Sequence, residues 1–124
     1  MSRAVGNRPK LGLGARQICI LLLTLATAII HFTLYTSAPM TEIFLLNGLG
    51  YLGLLAALFL PIRALVRIRR VVILLLIGYA ALSILAWVGM GDRRLALGWI
   101  DKADEVGLIA LLGVEAGNRA RPVR

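Results

Sequence analysis

"GWIDKADEVGLIALLGVE", Gly98 to Glu115, decides how many times this chain crosses a bilayer. Four charged residues, Asp101, Lys102, Asp104 and Glu105, open a segment that is otherwise strongly apolar. Only nine residues, Val106 to Val114, then separate Glu105 from Glu115, whereas a span needs about 20 predominantly apolar residues. Length alone therefore argues against a crossing here, and the charges in the rest of the chain have to settle it.

Three earlier segments, Gln17 to Thr41, Ile43 to Ile62 and Val71 to Gly91, contain no Asp, Glu, Lys or Arg. Each is long enough to span. If the fourth segment also spans, eleven basic residues share one side: Arg3, Arg8, Lys10, Arg16, Arg63, Arg67, Arg69, Arg70, Arg119, Arg121 and Arg124. Only Arg93, Arg94 and Lys102 are left at the other. With three spans the split falls to eight against six. Basic residues collect in cytoplasmic loops, so the expectation is four spans with both termini cytoplasmic. The fold class is an all-α, four-helix transmembrane bundle.

The expected boundaries are a basic tail at 1–16, one membrane domain at 17–117 and a second basic tail at 118–124. Within the domain, helices are expected at about 17–36, 43–62, 71–90 and 95–117. The first is read as a retained span, because its apolar core exceeds the roughly 7–15 residues of a secretory signal. Tyr35, Trp87 and Trp99 fall near the outer boundary, as interfacial aromatic rings do. The location that follows is a cell (inner) membrane.

Composition agrees. Of 124 residues 60% are hydrophobic and 16% charged, against about 45–50% and 25% in soluble domains. The net charge of +8 is a topology signal here, and no nucleic-acid motif accompanies it. A lone cysteine, Cys19, excludes an internal disulfide and a cysteine metal cluster, and it is expected to be a small buried hydrophobe. One histidine is too few for the usual metal or haem sites, so no metal and no cofactor is expected.

Asp101 reads as the N-cap of a helix from Lys102 to Gly117, with Asp104 as the acidic half of a capping box. The stretch "GDRRLALGWI" before it either extends that helix outward or forms an interfacial segment. At about 100° per residue, Asp101, Asp104, Glu105 and Glu115 share an arc of about 100°. Carboxylates facing lipid are costly, so this stripe should point inward. Elsewhere Thr24, Thr27, His31 and Tyr35 share a face, as do Asn47 and Tyr51, and Tyr79 and Ser83. The candidate intramembrane polar cluster is His31, Asn47, Tyr51, Tyr79, Ser83, Asp104 and Glu105, open toward the outside. Gly50, Gly53 and Ala57 form a small-residue strip for close helix contact, with other membrane subunits or with a second copy. Arg63, Arg67 and Arg70 would face anionic lipid headgroups if their loop is helical.

At "LLNGLGYLGLLAALFLP" (Leu45 to Pro61) and "GWIDKADEVGLIALL" (Gly98 to Leu112) the chain resembles a group of small, uncharacterised four-helix membrane proteins of bacteria and archaea. The resemblance implies the fold and a prokaryotic membrane, and no activity. The leading functional expectation is a non-enzymatic accessory or scaffold subunit, or a homo-oligomer. The alternative is a proton- or cation-coupled transporter or channel-like protein. In it Glu105 carries the charge, His31 and Asn47 line the site, and Asp101 and Asp104 draw cations to the mouth. A third reading is a lipid- or quinone-binding enzyme using His31 and Tyr51.

Overall fold

A computed structural model describes residues 14–37 and 41–120. The expected loop residue Pro39, the basic residues Arg3, Arg8, Lys10, Arg121 and Arg124, and the Arg119 side chain lie outside what is described. Five helices follow one another: α1 (Ala15–Ser37), α2 (Thr41–Phe59), α3 (Arg63–Arg67), α4 (Arg69–Met90) and α5 (Ala96–Ala120). Three of them, α1, α2 and α4, are long and apolar enough to cross a membrane.

The breaks have local causes. α2 stops at Phe59, just before Pro61, because proline crowds a helical residue in front of it. Ile62 is extended and Ile68 leaves the helical region at φ −101°, ψ 15°. The inner loop thus becomes the short α3 and a kink into α4. α4 closes at Gly91, whose N–H donates to the Trp87 carbonyl at 2.7 Å before the backbone turns extended. A turn then reverses the chain. The Asp92 side chain accepts from the Arg94 N–H at 2.9 Å, and its carbonyl accepts from the Leu95 N–H at 3.3 Å. Asp92, not Asp101, is the acid that organises this reversal.

The four long helices form a ring in which α1 touches α2 and α5, and α4 touches α2 and α5. The diagonal pairs face each other across the centre. One end, called upper below, carries the α4–α5 turn; the other, lower, carries the start of α1, the end of α5 and α3. At the lower end Arg16 pairs with Glu115 at 2.8 Å, which pins α1 antiparallel to α5. Two glycines allow the close contacts. A Cβ on Gly48 would lie 2.9 Å from the Phe32 ring, and one on Gly50 would collide with the Tyr79 hydroxyl. Gly50 is therefore spent on packing within the chain, while Gly53 is exposed with open space beside it.

The lower half is a dry core of Ile20, Leu58, Val72, Ile73, Leu76, Leu108, Leu112 and Ala116. Large apolar side chains cover the outside, among them Leu22, Ile29, Leu46, Leu49, Leu75, Leu82 and Leu85. Cys19 is exposed among them rather than buried as expected. It follows Ile18 on the outward face of α1.

α5 has the opposite logic to a simple apolar span. Its exposed side is Trp99, Ile100, Ala103, Val106, Ala110, Gly113 and Val114, without a charge. Asp101, Lys102, Glu105 and Glu115 are buried against the other helices. With 25 residues it is about 37 Å long at 1.5 Å per residue. Its mean hydropathy is lowered by charges that face inward.

Candidate functional site

Every long helix brings polar groups to the upper half of the ring, and they meet at its axis. α5 contributes three consecutive-face groups: Asp101 and Glu105 are one turn apart, and Lys102 reaches its partner at i+3. α1 brings Thr27 and His31, α2 brings Asn47 and Tyr51, and α4 brings Ser83. Asp101, Lys102, Glu105, Thr27, His31, Ser83 and Tyr51 are all buried.

Lys102 is the centre. Its ammonium lies 3.0 Å from Asp101 Oδ2, 2.6 Å from Glu105 Oε2 and 3.1 Å from Ser83 Oγ. Two of its three N–H donors go to Glu105 and Ser83 as hydrogen bonds, and Asp101 adds an ion pair. The other carboxylate oxygens are also satisfied. Thr27 Oγ1 donates to Asp101 Oδ1 at 2.5 Å, and the Tyr51 hydroxyl donates to Glu105 Oε1 at 2.6 Å. Both are in the short range of hydrogen bonds to charged oxygen.

His31 closes the arrangement. Its Nδ1 sits 2.8 Å from the Thr27 carbonyl, which can only accept, so Nδ1 carries a proton. Nε2 then accepts from Asn47 Nδ2 at 2.6 Å, and the same amide donates to Ser83 Oγ at 3.1 Å. Nδ1 also lies 3.7 Å from Asp101 Oδ1. Counted formally, two carboxylates and one ammonium give the cluster one negative charge in excess, inside a low-dielectric core.

One side of the cluster borders a cavity of about 350 Å³, while Glu105, Tyr51 and Thr27 lie behind that lining. Asp101, Lys102, His31, Asn47 and Ser83 lie at the bottom, Leu34, Phe44 and Trp87 form walls, and Met90, Asp92 and Leu95 line the rim. Those rim residues are exposed while the floor is buried, so the cavity opens at the upper end. Below the cluster the way is shut. From Glu105 down to Glu115 the inward positions of α5 are Leu108 and Leu112, both fully buried. That plug is about 15 Å deep.

The structure brings His31, Asn47, Tyr51, Ser83 and Glu105 together and leaves two of the expected members aside. The Tyr79 hydroxyl donates to the backbone carbonyls of Asn47 at 3.2 Å and Leu46 at 3.5 Å. Its ring meets Tyr51 edge-on at 4.9 Å, so it buttresses the cluster from outside. Asp104 is only half-buried, and its Oδ2 has no hydrogen-bond partner among the described residues. Tyr35, expected on the His31 face, is exposed at the helix end. Asp101 is corrected from cap to core: it stands five residues inside α5, which begins at Ala96, and its carboxylate is spent on side chains.

Lys102 and Thr27 are the members that residue patterns alone did not assign. The i, i+3 spacing of Lys102 and Glu105 was the available signal. Arg63, Arg67 and Arg70 are all exposed at the lower end, split between α3 and α4. The groups His31, Asp101 and Glu105 also offer one ring nitrogen and two carboxylate oxygens within 4.8 Å of one another. No protein-family model, curated protein or solved structure matches the chain.

Proposed function

We propose that the chain is a four-span integral membrane protein with α5 as its fourth span and both ends of the bundle's lower side in the cytoplasm. Support comes from the uncharged exterior of α5 and from Arg16, Arg63, Arg67, Arg69 and Arg70 gathered at the lower end. Basic residues favour the cytoplasmic side. The exposed Arg63, Arg67 and Arg70 suit anionic headgroups there, in the inner membrane of a prokaryotic cell such as the resemblance implies.

In this setting the cavity is an outward-facing site of a proton-coupled transporter, and Glu105 is its proton-carrying carboxylate. The observation that carries this reading is a formal excess of negative charge buried directly behind the Asp101 and Lys102 lining of an open cavity. Ionisable groups at such depth are costly and characteristic of ion and proton pathways. Glu105 is fully buried and is the innermost group of the cluster. Tyr51 and Lys102 hold its two oxygens, so a change in its charge is felt by α2 and by the rest of α5. The apolar plug beneath excludes an open pore and requires the site to be exposed to the two sides in turn.

The test is flux in proteoliposomes carrying a pH-sensitive dye. An imposed proton gradient should dissipate faster with the wild-type chain than with empty liposomes, and Glu105→Gln should remove that increment. Equal rates for wild type, variant and empty liposomes would overturn transport. A second reading, a non-enzymatic accessory subunit or homo-oligomer, draws on the exposed notch at Gly53. With Gly50 engaged inside the chain, Gly53 and the half-buried Ala57 are what remains of the strip for close helix contact. Gly53→Leu should then break co-purification or dimerisation without changing the fold.

A further inference from the structure

We infer that Lys102 is a tethered cation, holding the place that a metal ion would take among Asp101, Glu105 and His31 and so keeping metal ions out of the site. This inference does not rest on the transport reading above.

Three observations converge. The ammonium lies between the two carboxylates, 3.0 Å from one and 2.6 Å from the other. The same two residues, with His31, offer one imidazole nitrogen and two carboxylate oxygens within 4.8 Å of one another, and His31 Nδ1 lies 3.7 Å from Asp101 Oδ1. Imidazole with carboxylates is a donor set suited to first-row divalent ions, which bind such atoms at about 2.0–2.2 Å. Finally, Asp101, Lys102 and His31 all line the cavity, so an ion arriving from the upper end could reach the position.

Charge decides what the site accepts. With Lys102 present the formal deficit is one unit. A divalent ion would overshoot that deficit and sit against the ammonium in a low dielectric. Removing the ammonium raises the deficit to two units and frees the carboxylate oxygens Asp101 Oδ2 and Glu105 Oε2. Both charge and ligands then match a divalent cation. For Nδ1 of His31 to bind it, the ring proton moves to Nε2 and the Asn47 amide turns its oxygen toward it. Asn47 thus becomes the outer partner that fixes the ligand tautomer.

The experiment titrates Mn²⁺ alone into the full-length chain in detergent and follows the free-ion signal by electron paramagnetic resonance. Lys102→Met, similar in length and uncharged, should bind one ion at least about 100-fold more tightly than wild type. Adding Glu105→Gln to it should abolish the gain. Equal binding by wild type and Lys102→Met, or no binding by a folded Lys102→Met, overturns the inference. If Lys102→Met fails to fold, Mn²⁺ should restore its cooperative melt by supplying the lost positive charge, and failure to restore it is equally fatal. Proton flux without Mn²⁺ capture would sink this inference alone. Capture without flux would sink the transport reading alone.

Discussion

The two halves of the bundle are held together by opposite means. In the upper half, α1, α2, α4 and α5 meet through Thr27, His31, Asn47, Tyr51, Ser83, Asp101, Lys102 and Glu105, beside a cavity of about 350 Å³. In the lower half the same helices meet through Ile20, Leu55, Leu58, Ile73, Leu76, Leu108 and Leu112, each 6% exposed or less. Apolar contact in a bilayer gains little from leaving lipid, since lipid is equally apolar, so the lower half depends on close packing. The upper half depends on satisfied charges. A packed region tolerates the loss of one methyl group gradually. A charged cluster with every oxygen paired does not, because removing one partner leaves another charge buried and alone.

The largest effect that follows is at Lys102. Lys102→Met leaves Asp101 and Glu105 facing each other without a counter-charge and should cost about 3–5 kcal/mol, the range for breaking a buried ion pair by removing one member. Asp101→Asn does the reverse. It removes the excess charge, keeps Lys102 paired with Glu105 and still offers an amide oxygen to Thr27, so its cost should stay near 1 kcal/mol. Denaturant unfolding of both variants in the same detergent measures the difference. Equal losses would mean that packing around α5, not charge balance, holds the upper half.

Leu108→Ala asks the matching question of the lower half. Leu108 is fully buried in the plug, and the substitution leaves a cavity costing about 2–4 kcal/mol. Its proton flux, however, should equal that of wild type, because no group of the cluster is touched. A Leu108→Ala chain that unfolds readily yet conducts more would show that the plug is also a gate.

This division was only half legible in the residues. The apolar spans announce themselves, because 20 or more residues without a charge have few other uses. The fourth crossing proposed for α5 is harder to read: hydropathy sums charges regardless of direction, and only the distribution of arginines argues for it. The inward stripe of Asp101, Glu105 and Glu115 was readable from helical spacing, as was a shared depth for His31, Asn47 and Ser83. The role of Asp101 was not. An aspartate at the start of an apolar run looks like a cap, and the Asp92 turn that starts α5 earlier leaves no strong mark. Lys102 was misread for a related reason. A lysine near the end of a span ordinarily carries its charge out to the interface, and only the position of Ser83 on α4 shows that this one turns inward. Asp104 illustrates the limit of angular arguments: it lies about 100° from Glu105, close enough to share an arc and far enough to miss the cluster.

The smallest expected effect makes the sharpest comparison, since it concerns two ion pairs of nearly the same length. Lys102 and Glu105 are 2.6 Å apart, and Arg16 and Glu115 are 2.8 Å apart. Geometry does not separate them, but the surroundings do. The Lys102 side chain is 10% exposed and that of Arg16 is 36% exposed, at the end of α1 where water and counter-ions can replace a lost partner. Glu115 is buried, at 8% exposure, yet water and the glutamine amide can still reach its carboxylate from the half-exposed Arg16 side. Arg16→Gln should therefore shift unfolding by about 1 kcal/mol, an effect that weakens in high salt. A loss at Arg16 as large as that at Lys102 would place the lower end in surroundings as dry as the cluster, and the contrast between the two halves would then lie in residue type alone.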